Sequence, residues 1–132
     1  MLPTLAAAAA FTILPGFHSP SGNISCYLGP PKTLRCTIGT AAYAKALQRR
    51  CTSTTAVDWH GWELQPTGPA RVTCSGGILF DPSRERPGFV NLPYGKTWTH
   101  AGFTCASATA GITCRNRTGN VLFISRQAWR TA

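Results

Sequence analysis

Six cysteines, at positions 26, 36, 51, 74, 105 and 114 of a 132-residue chain, constrain this sequence more than any other feature. They are spaced by 10, 15, 23, 31 and 9 residues and include no C-x-x-C pair. Structural metal sites draw their thiolates from such close pairs, so the pattern predicts neither a metal nor a cofactor. It predicts three disulfides formed in an oxidising compartment. Six cysteines permit fifteen pairings, and the local sequence selects among them. Gly102-Phe103-Thr104-Cys105 and Gly111-Ile112-Thr113-Cys114 are near copies. Folding the chain back around Ala108-Thr109-Ala110 sets Cys105 opposite Cys114 on neighbouring strands. Opposed residues of an antiparallel pair lie about 4.5–5.5 Å apart, within reach of a disulfide. In the same way Ile24-Ser25-Cys26-Tyr27-Leu28 and Leu34-Arg35-Cys36-Thr37-Ile38 flank the turn signal Gly29-Pro30-Pro31-Lys32, which pairs Cys26 with Cys36. Elimination joins Cys51 to Cys74. Each bridge contributes about 3 kcal/mol in the loop-closure model, and three together rival the net stability of a small domain.

The remaining pattern is turn-rich and sheet-forming. Thirteen Gly and ten Pro interrupt the chain, and charged residues make up only 13%, about half the usual share. That composition excludes a coiled coil and a charged disordered tail. Strands are expected at 24–28, 34–38, 62–64, 71–74, 78–80, 96–100, 103–105, 112–115 and 121–125, with turn signals between them. Residues 41–50 (AAYAKALQRR) form the one good helical stretch, with Thr40 as its N-cap and Tyr43 and Leu47 on one face. Residues 52–57 read as polar loop, and residues 81–88 (DPSRERPG) as a surface loop. Ser21-Gly22-Asn23-Ile24 is echoed by Thr118-Gly119-Asn120-Val121, and Gly-Asn suits the left-handed residues of a sharp turn. The expected fold is all-β: a disulfide-stapled antiparallel sandwich or barrel-like domain over residues 16–132, with one short helix near 41–50.

Residues 1–15 (MLPTLAAAAAFTILP) carry an apolar core of signal-peptide length. No Lys or Arg precedes Lys32, so the positive start of such a leader is missing; a start codon placed at an internal Met would account for it. The alternative is an apolar first element of the fold. With the cysteines, the segment points to a secreted or envelope-exposed protein whose mature chain begins near Gly16 or Phe17. No stretch reaches the roughly 18 apolar residues of a transmembrane span.

Ser19-Pro20-Ser21-Gly22-Asn23-Ile24 followed by Cys26, then Asp58-Trp59, Leu92-Pro93-Tyr94-Gly95, Trp98, and a closing run with Gly111, Cys114, Asn116, Gly119, Phe123 and Ser125-Arg126 form an ordered series. In that order and spacing the chain resembles a family of small secreted or lipoprotein bacterial domains, actinobacterial and proteobacterial, without an assigned function. The resemblance covers most of the chain and implies an extracytoplasmic address. It implies no reaction. Two positions depart from the pattern: His60 stands where the family has Gly after Asp-Trp, and Gly77 where an acidic residue follows the fourth Cys.

Thirteen Lys and Arg against four Asp and Glu give a net charge of +9. Such a surface attracts polyanions. The cations are scattered and no run exceeds two, so weak polyanion binding is expected and specific nucleic-acid recognition is not. The densest constellation is Asp58-Trp59-His60-Gly61-Trp62-Glu63. It reads either as a binding platform, with Trp faces and carboxylate anchors extended by Tyr94 and Trp98, or as core packing with Asp58 capping a turn. A small nuclease-like hydrolase would draw on His18, His60, His100, the four acids and an Arg such as Arg71 or Arg115. Their spacing singles out no catalytic residue. Loop 81–88, with Arg84 and Arg86, would serve an inhibitor of a secreted enzyme. Asn23-Ile24-Ser25 and Asn116-Arg117-Thr118 match glycosylation sequons. The leading expectation is a monomeric, non-catalytic binding or structural domain of the envelope, its partner an anionic polymer or a protein.

Overall fold

Antiparallel hairpins build two sheets here, and the computed structural model describes residues 14–75 and 89–132 of them. The first sheet holds β1 (Gly16–His18), β2 (Ile24–Gly29), β3 (Thr33–Ile38), β4 (Trp59–Leu64), β5 (Arg71–Cys74) and β6 (Phe89–Asn91), in the order β5-β4-β3-β2-β1-β6. The second is a meander of β7 (Thr97–His100), β8 (Phe103–Ala108), β9 (Gly111–Arg115), β10 (Val121–Ile124) and β11 (Trp129–Thr131). One helix, α1 (Ala44–Thr55), lies between β3 and β4 in the chain. The fold is therefore all-β with a short helix, as the pattern predicts. It is not wholly antiparallel, because β6 joins β1 in parallel. Strands β1, β6 and β11 were not separated by pattern, since three residues carry no period to detect. The apolar leader, the strand expected at 78–80, Gly77 and the loop at 81–88 fall largely or wholly outside the described residues.

Alternation decides what each sheet buries. On β8, Phe103, Cys105 and Ser107 are buried while Thr104, Ala106 and Ala108 are exposed. Ile112, Cys114, Leu122 and Ile124 continue that inner face. Phe17, Cys26, Leu34, Cys36, Trp62 and Leu64 supply the facing layer, and the two layers form one hydrophobic cluster. All three expected disulfides are present. Cys26 and Cys36 are direct register partners, as are Cys105 and Cys114, with Cα separations of 4.1 and 4.0 Å. The sulfur atoms of Cys26, Cys36 and Cys114 lie within 4.8 Å of one another. The two cystines thus meet across the interface between the sheets. These sulfurs are already bonded in pairs and offer no thiolate to a metal. The third bridge, Cys51–Cys74, ties α1 to the edge strand β5.

The helix begins later and runs further than its propensities suggest. Thr40 does not cap it. Its N–H donates to Asn23 Oδ1 at 2.8 Å, and its carbonyl accepts from Asn23 Nδ2 at 3.0 Å. Tyr43 occupies the N-cap position with no side-chain capping bond. At the other end Thr52, Thr54 and Thr55 are helical, and their hydroxyls donate back to the carbonyls of Gln48, Arg50 and Cys51 at 3.0, 2.8 and 2.7 Å. Hydroxyls that elsewhere compete with the helix are satisfied inside it, and the Cys51 bridge holds that turn in place. Left-handed Ala56 ends the helix.

The turn echo is real in three dimensions. Gly22 and Gly119 both adopt φ +76°, and each donates its N–H to the carbonyl three residues back, on Ser19 and Asn116. Only the glycines are left-handed; Asn23 and Asn120 are not, so the role expected of Gly-Asn falls to Gly alone. The β7–β8 hairpin turns through Ala101 and Gly102, with φ of 51° and 89°. This is the sign combination of a type I′ turn, which favours Asn-Gly. Ala101→Asn is expected to raise unfolding stability by about 0.5–1 kcal/mol, since a Cβ without a local polar contact is costly in the left-handed region. Urea denaturation checks this, and an unchanged or lowered midpoint contradicts it.

Candidate functional site

The Asp58–Glu63 constellation divides among three environments. Trp59 and Trp62, three residues apart, would face opposite sides of a regular strand. A register shift between them, with Gly61 at φ +91°, turns both indoles to the same side. A Cβ at Gly61 would sit 2.1 Å from the Cys36 carbonyl oxygen, so only glycine fits the bulge. The indole centroids lie 5.3 Å apart, Tyr43 from α1 packs against both, and Trp129 closes on Trp62 at 6.1 Å. Trp62 is 1% exposed. Asp58 Oδ1 accepts from Gln48 Nε2 at 3.0 Å, and the Gln48 side-chain oxygen accepts the Trp59 N–H at 3.3 Å. These residues seal one end of the core under α1. Trp62 has no open face for a ligand.

Glu63 points to the other side of the first sheet. Register places it between Arg35 on β3 and Arg71 on β5. Arg35 Nη1 reaches Glu63 Oε2 at 3.1 Å, and Arg71 Nη2 reaches Oε1 at 3.3 Å. Both carboxylate oxygens are engaged, in a half-exposed network of the kind worth about 0–1 kcal/mol per pair. His60 lies on β4, half-buried, between Trp59 and Gly61. Trp98 pairs with Cys105 and packs on Phe17 at 5.2 Å, with His100 stacked outside it at 5.7 Å. His18, His60 and His100 thus stand on β1, β4 and β7. Among the described residues no group of three His, Asp or Glu side chains converges, so the set considered for hydrolysis is not assembled there. Arg84 and Arg86 lie outside the described residues.

Both sequon asparagines are structural. Asn23 clamps the Thr40 backbone as above. Asn116 is 7% exposed and donates to the carbonyls of Gln65 and Gly68 at 3.0 and 2.8 Å, while its oxygen accepts the Asn120 N–H at 2.9 Å.

Of the predicted platform, Tyr94 reaches an open recess. Leu92, 4% exposed, anchors the turn, and the Gly95 N–H donates to the Ser107 carbonyl at 2.8 Å, which leaves Tyr94 at the tip, 53% exposed. There it borders a cleft of about 280 Å³ together with Ser21, Asn23, Thr109, Arg126 and Gln127. Four turns converge: β1–β2, β6–β7, β8–β9 and β10–β11. Side-chain bonds hold the first and the last of them. Ser19 Oγ accepts the Ile24 N–H at 3.1 Å, Ser21 Oγ accepts the Asn23 N–H at 3.2 Å, and Ser125 Oγ accepts the Ala128 N–H at 3.0 Å. Tyr94, Thr109, Arg126 and Gln127 make no side-chain hydrogen bond among the described residues. Reading each segment alone missed Thr109, Arg126 and Gln127. The available signal was the series Ser19–Ile24, Leu92–Gly95, Gly111 and Ser125-Arg126, whose members meet at this recess.

Beside the cleft lies the outer face of the second sheet. Register sets Thr99, Thr104, Arg115 and Val121 in one row, and Thr97, Ala106, Thr113, Phe123 and Arg130 in the next. The Arg130 guanidinium lies 5.6 Å from the Phe123 ring centre. That ring covers Gly111, where an added Cβ would meet it at 2.9 Å. Gly111 also borders the cleft, so the two surfaces are continuous. The carboxylate side chains among the described residues are Asp58 and Glu63, both engaged elsewhere. Arg115, Arg126 and Arg130 therefore face solvent with no carboxylate side chain as partner among the described residues. Comparison with protein-family models, curated proteins and solved structures returns no match, and the site is read from its own geometry.

Two outcomes separate core from surface here. Trp62→Ala is expected to lose about 3–5 kcal/mol of stability, whereas Tyr94→Ala stays within about 0.5 kcal/mol; comparable losses in chemical denaturation would contradict this division. Burial raises the Tyr43 pKa from its ordinary 10.0 to about 12, and its hydroxyl donates to the Ser125 carbonyl at 2.7 Å. The unfolded chain then ionises first, so this contribution is whole below pH 10 and is lost as pH rises from 10 to about 12. Tyr43→Phe should flatten that alkaline decline in stability, measured by denaturation across the range.

Proposed function

We propose that this protein is an extracytoplasmic, non-catalytic domain that binds an anionic polymer of the cell envelope across the outer face of its second sheet. The observation that carries the reading is a five-stranded face bearing Arg115, Arg130, Phe123 and rows of threonine, with no carboxylate side chain on it. The first sheet bears its cations differently, since Arg35 and Arg71 both pair with Glu63, which offsets one of their two charges. Three disulfides support an oxidising address, as does the signal-like composition of residues 1–15. The resemblance to secreted and lipoprotein bacterial domains agrees with it. Among the described residues no helix is long and apolar enough to cross a membrane.

Mechanistically, each exposed guanidinium contributes little by itself, about 0–1 kcal/mol per ion pair. A repeating anionic chain engages several at once, and each contact raises the effective concentration of the next. Threonine hydroxyls add hydrogen bonds, and the rows that run across the sheet offer successive contacts to an extended chain. Salt weakens such binding, because exposed charges are screened over about 8–10 Å at physiological ionic strength.

Wall teichoic acid or polygalacturonate is expected to bind at low salt, with neutral amylose as the negative control. Arg115→Ser combined with Arg130→Ser should weaken binding about tenfold, a change of about 1.4 kcal/mol. Lys45→Ser combined with Arg49→Ser removes the same charge from α1 and should change affinity by less than about twofold. Equal loss in both double variants would reduce the effect to net charge and overturn the assignment of this face.

A further inference from the structure

The cleft at the edge of this face has a chemistry of its own. Its boundary is mostly hydroxyl, amide and small side chains, with the Tyr94 ring and the Arg126 guanidinium added. Ala108, Ala110, Ile112 and the Tyr94 ring add apolar surface, so the lining matches an occupant with both hydrogen-bonding groups and an apolar face. Among the described residues no carboxylate borders it, so a cationic ligand would have no counter-charge from them. At about 280 Å³ it is just below the roughly 300–1,000 Å³ range of small-molecule sites, which suits one ring and excludes a folded chain. Its polar groups fall into two classes. Those of Ser19, Ser21, Asn23 and Ser125 are spent on holding the turns. Those of Tyr94, Thr109, Arg126 and Gln127 are left to face an occupant.

We infer that this cleft is a subsite for one anionic pyranose residue, carrying a carboxylate or a phosphate. Arg126 pairs with the acid, since a guanidinium matches either group with two parallel hydrogen bonds. The Tyr94 ring lies against the sugar's C–H face while its hydroxyl meets an oxygen at the rim. Thr109 and Gln127 bond the ring hydroxyls. The β1–β2 and β10–β11 turns are held by internal hydrogen bonds, so binding orders chiefly the four exposed side chains rather than the backbone beneath them. This inference rests on the polymer reading: the face attracts the chain, and the cleft selects a residue or an end of it.

The test is a ¹⁵N chemical-shift titration of the intact disulfide-bonded protein. The probes are glucuronic acid, glucose 6-phosphate, glucose, sodium sulfate and N-acetyl-dialanine. Glucuronic acid or glucose 6-phosphate should bind with a Kd on the order of 1 mM, with shifts confined to residues around Tyr94, Thr109, Arg126 and Gln127. Whichever of the two binds more tightly identifies the acid. Neutral glucose should bind at least tenfold more weakly. Arg126→Ala and Tyr94→Ala should each lose about tenfold, while Arg126→Lys and Tyr94→Phe recover part of the loss, with far-ultraviolet circular dichroism unchanged throughout. Sulfate binding as tightly as the sugars would mean a simple anion site, and tighter binding of N-acetyl-dialanine a peptide-terminus site; either overturns the inference. So would shifts scattered over the surface. The two readings fail separately. Loss of the Arg115 and Arg130 effect on polymer with the monosaccharide map intact removes the polymer face alone. An intact polymer effect with no monosaccharide shifts removes the cleft alone.

Discussion

Two cystines touching across a sheet interface organise this molecule. Each joins directly opposed residues of one hairpin, Cys26 with Cys36 and Cys105 with Cys114. Each therefore sets register, and a slip of one residue would turn every side chain of the strand to the wrong face. Because both point inward, their contact also sets which face of each sheet meets the other. The apolar residues at alternating positions, from Leu34 and Leu64 to Ile112 and Leu122, are then buried around them. A chain with this much Gly and Pro gains order from covalent closure that a larger hydrophobic core would otherwise have to supply.

The same arrangement separates the two outer surfaces by charge. On the first sheet, cross-strand register threads Glu63 between Arg35 and Arg71 and offsets one of their two charges. On the second sheet the outward positions hold threonine, arginine and Phe123. Self-repulsion among exposed cations disfavours the compact state, and the disulfides offset it. A free cationic face on a rigid support is the property from which the binding role is argued. In the recess beside it, the β1–β2 and β10–β11 turns close on their own hydrogen bonds.

The tryptophan-rich segment shows how a motif can mislead. Read linearly, Asp58 to Glu63 gathers aromatics and acids as a ligand platform would. A single bulge at Gly61 turns Trp59 toward Trp62, and α1 covers both with Tyr43. Glu63 emerges on the opposite side of the sheet. Residues adjacent in sequence are thus divided between core and surface, while Tyr94 and Arg126, 32 positions apart, share one cleft.

What the chain determined by itself was local and covalent. Cysteine spacing set against hairpin turns was enough to pair four of the six thiols, because opposed strand positions lie within bonding distance whatever the rest of the fold does, and elimination then joined Cys51 to Cys74. The β class, most strands and the Gly22 and Gly119 turns were legible for the same reason, each resting on a few consecutive residues. The helix was legible in kind but misplaced, since Thr52 to Thr55 continue it past Cys51, where the bridge to Cys74 ties that turn to β5, and their hydroxyls are satisfied within it. Tertiary structure alone decided the parallel docking of β6 on β1, the Arg35–Glu63–Arg71 array and the cleft. Each of these depends on which segments distant in the chain become neighbours, and in the folded chain that choice belongs to sheet order and packing.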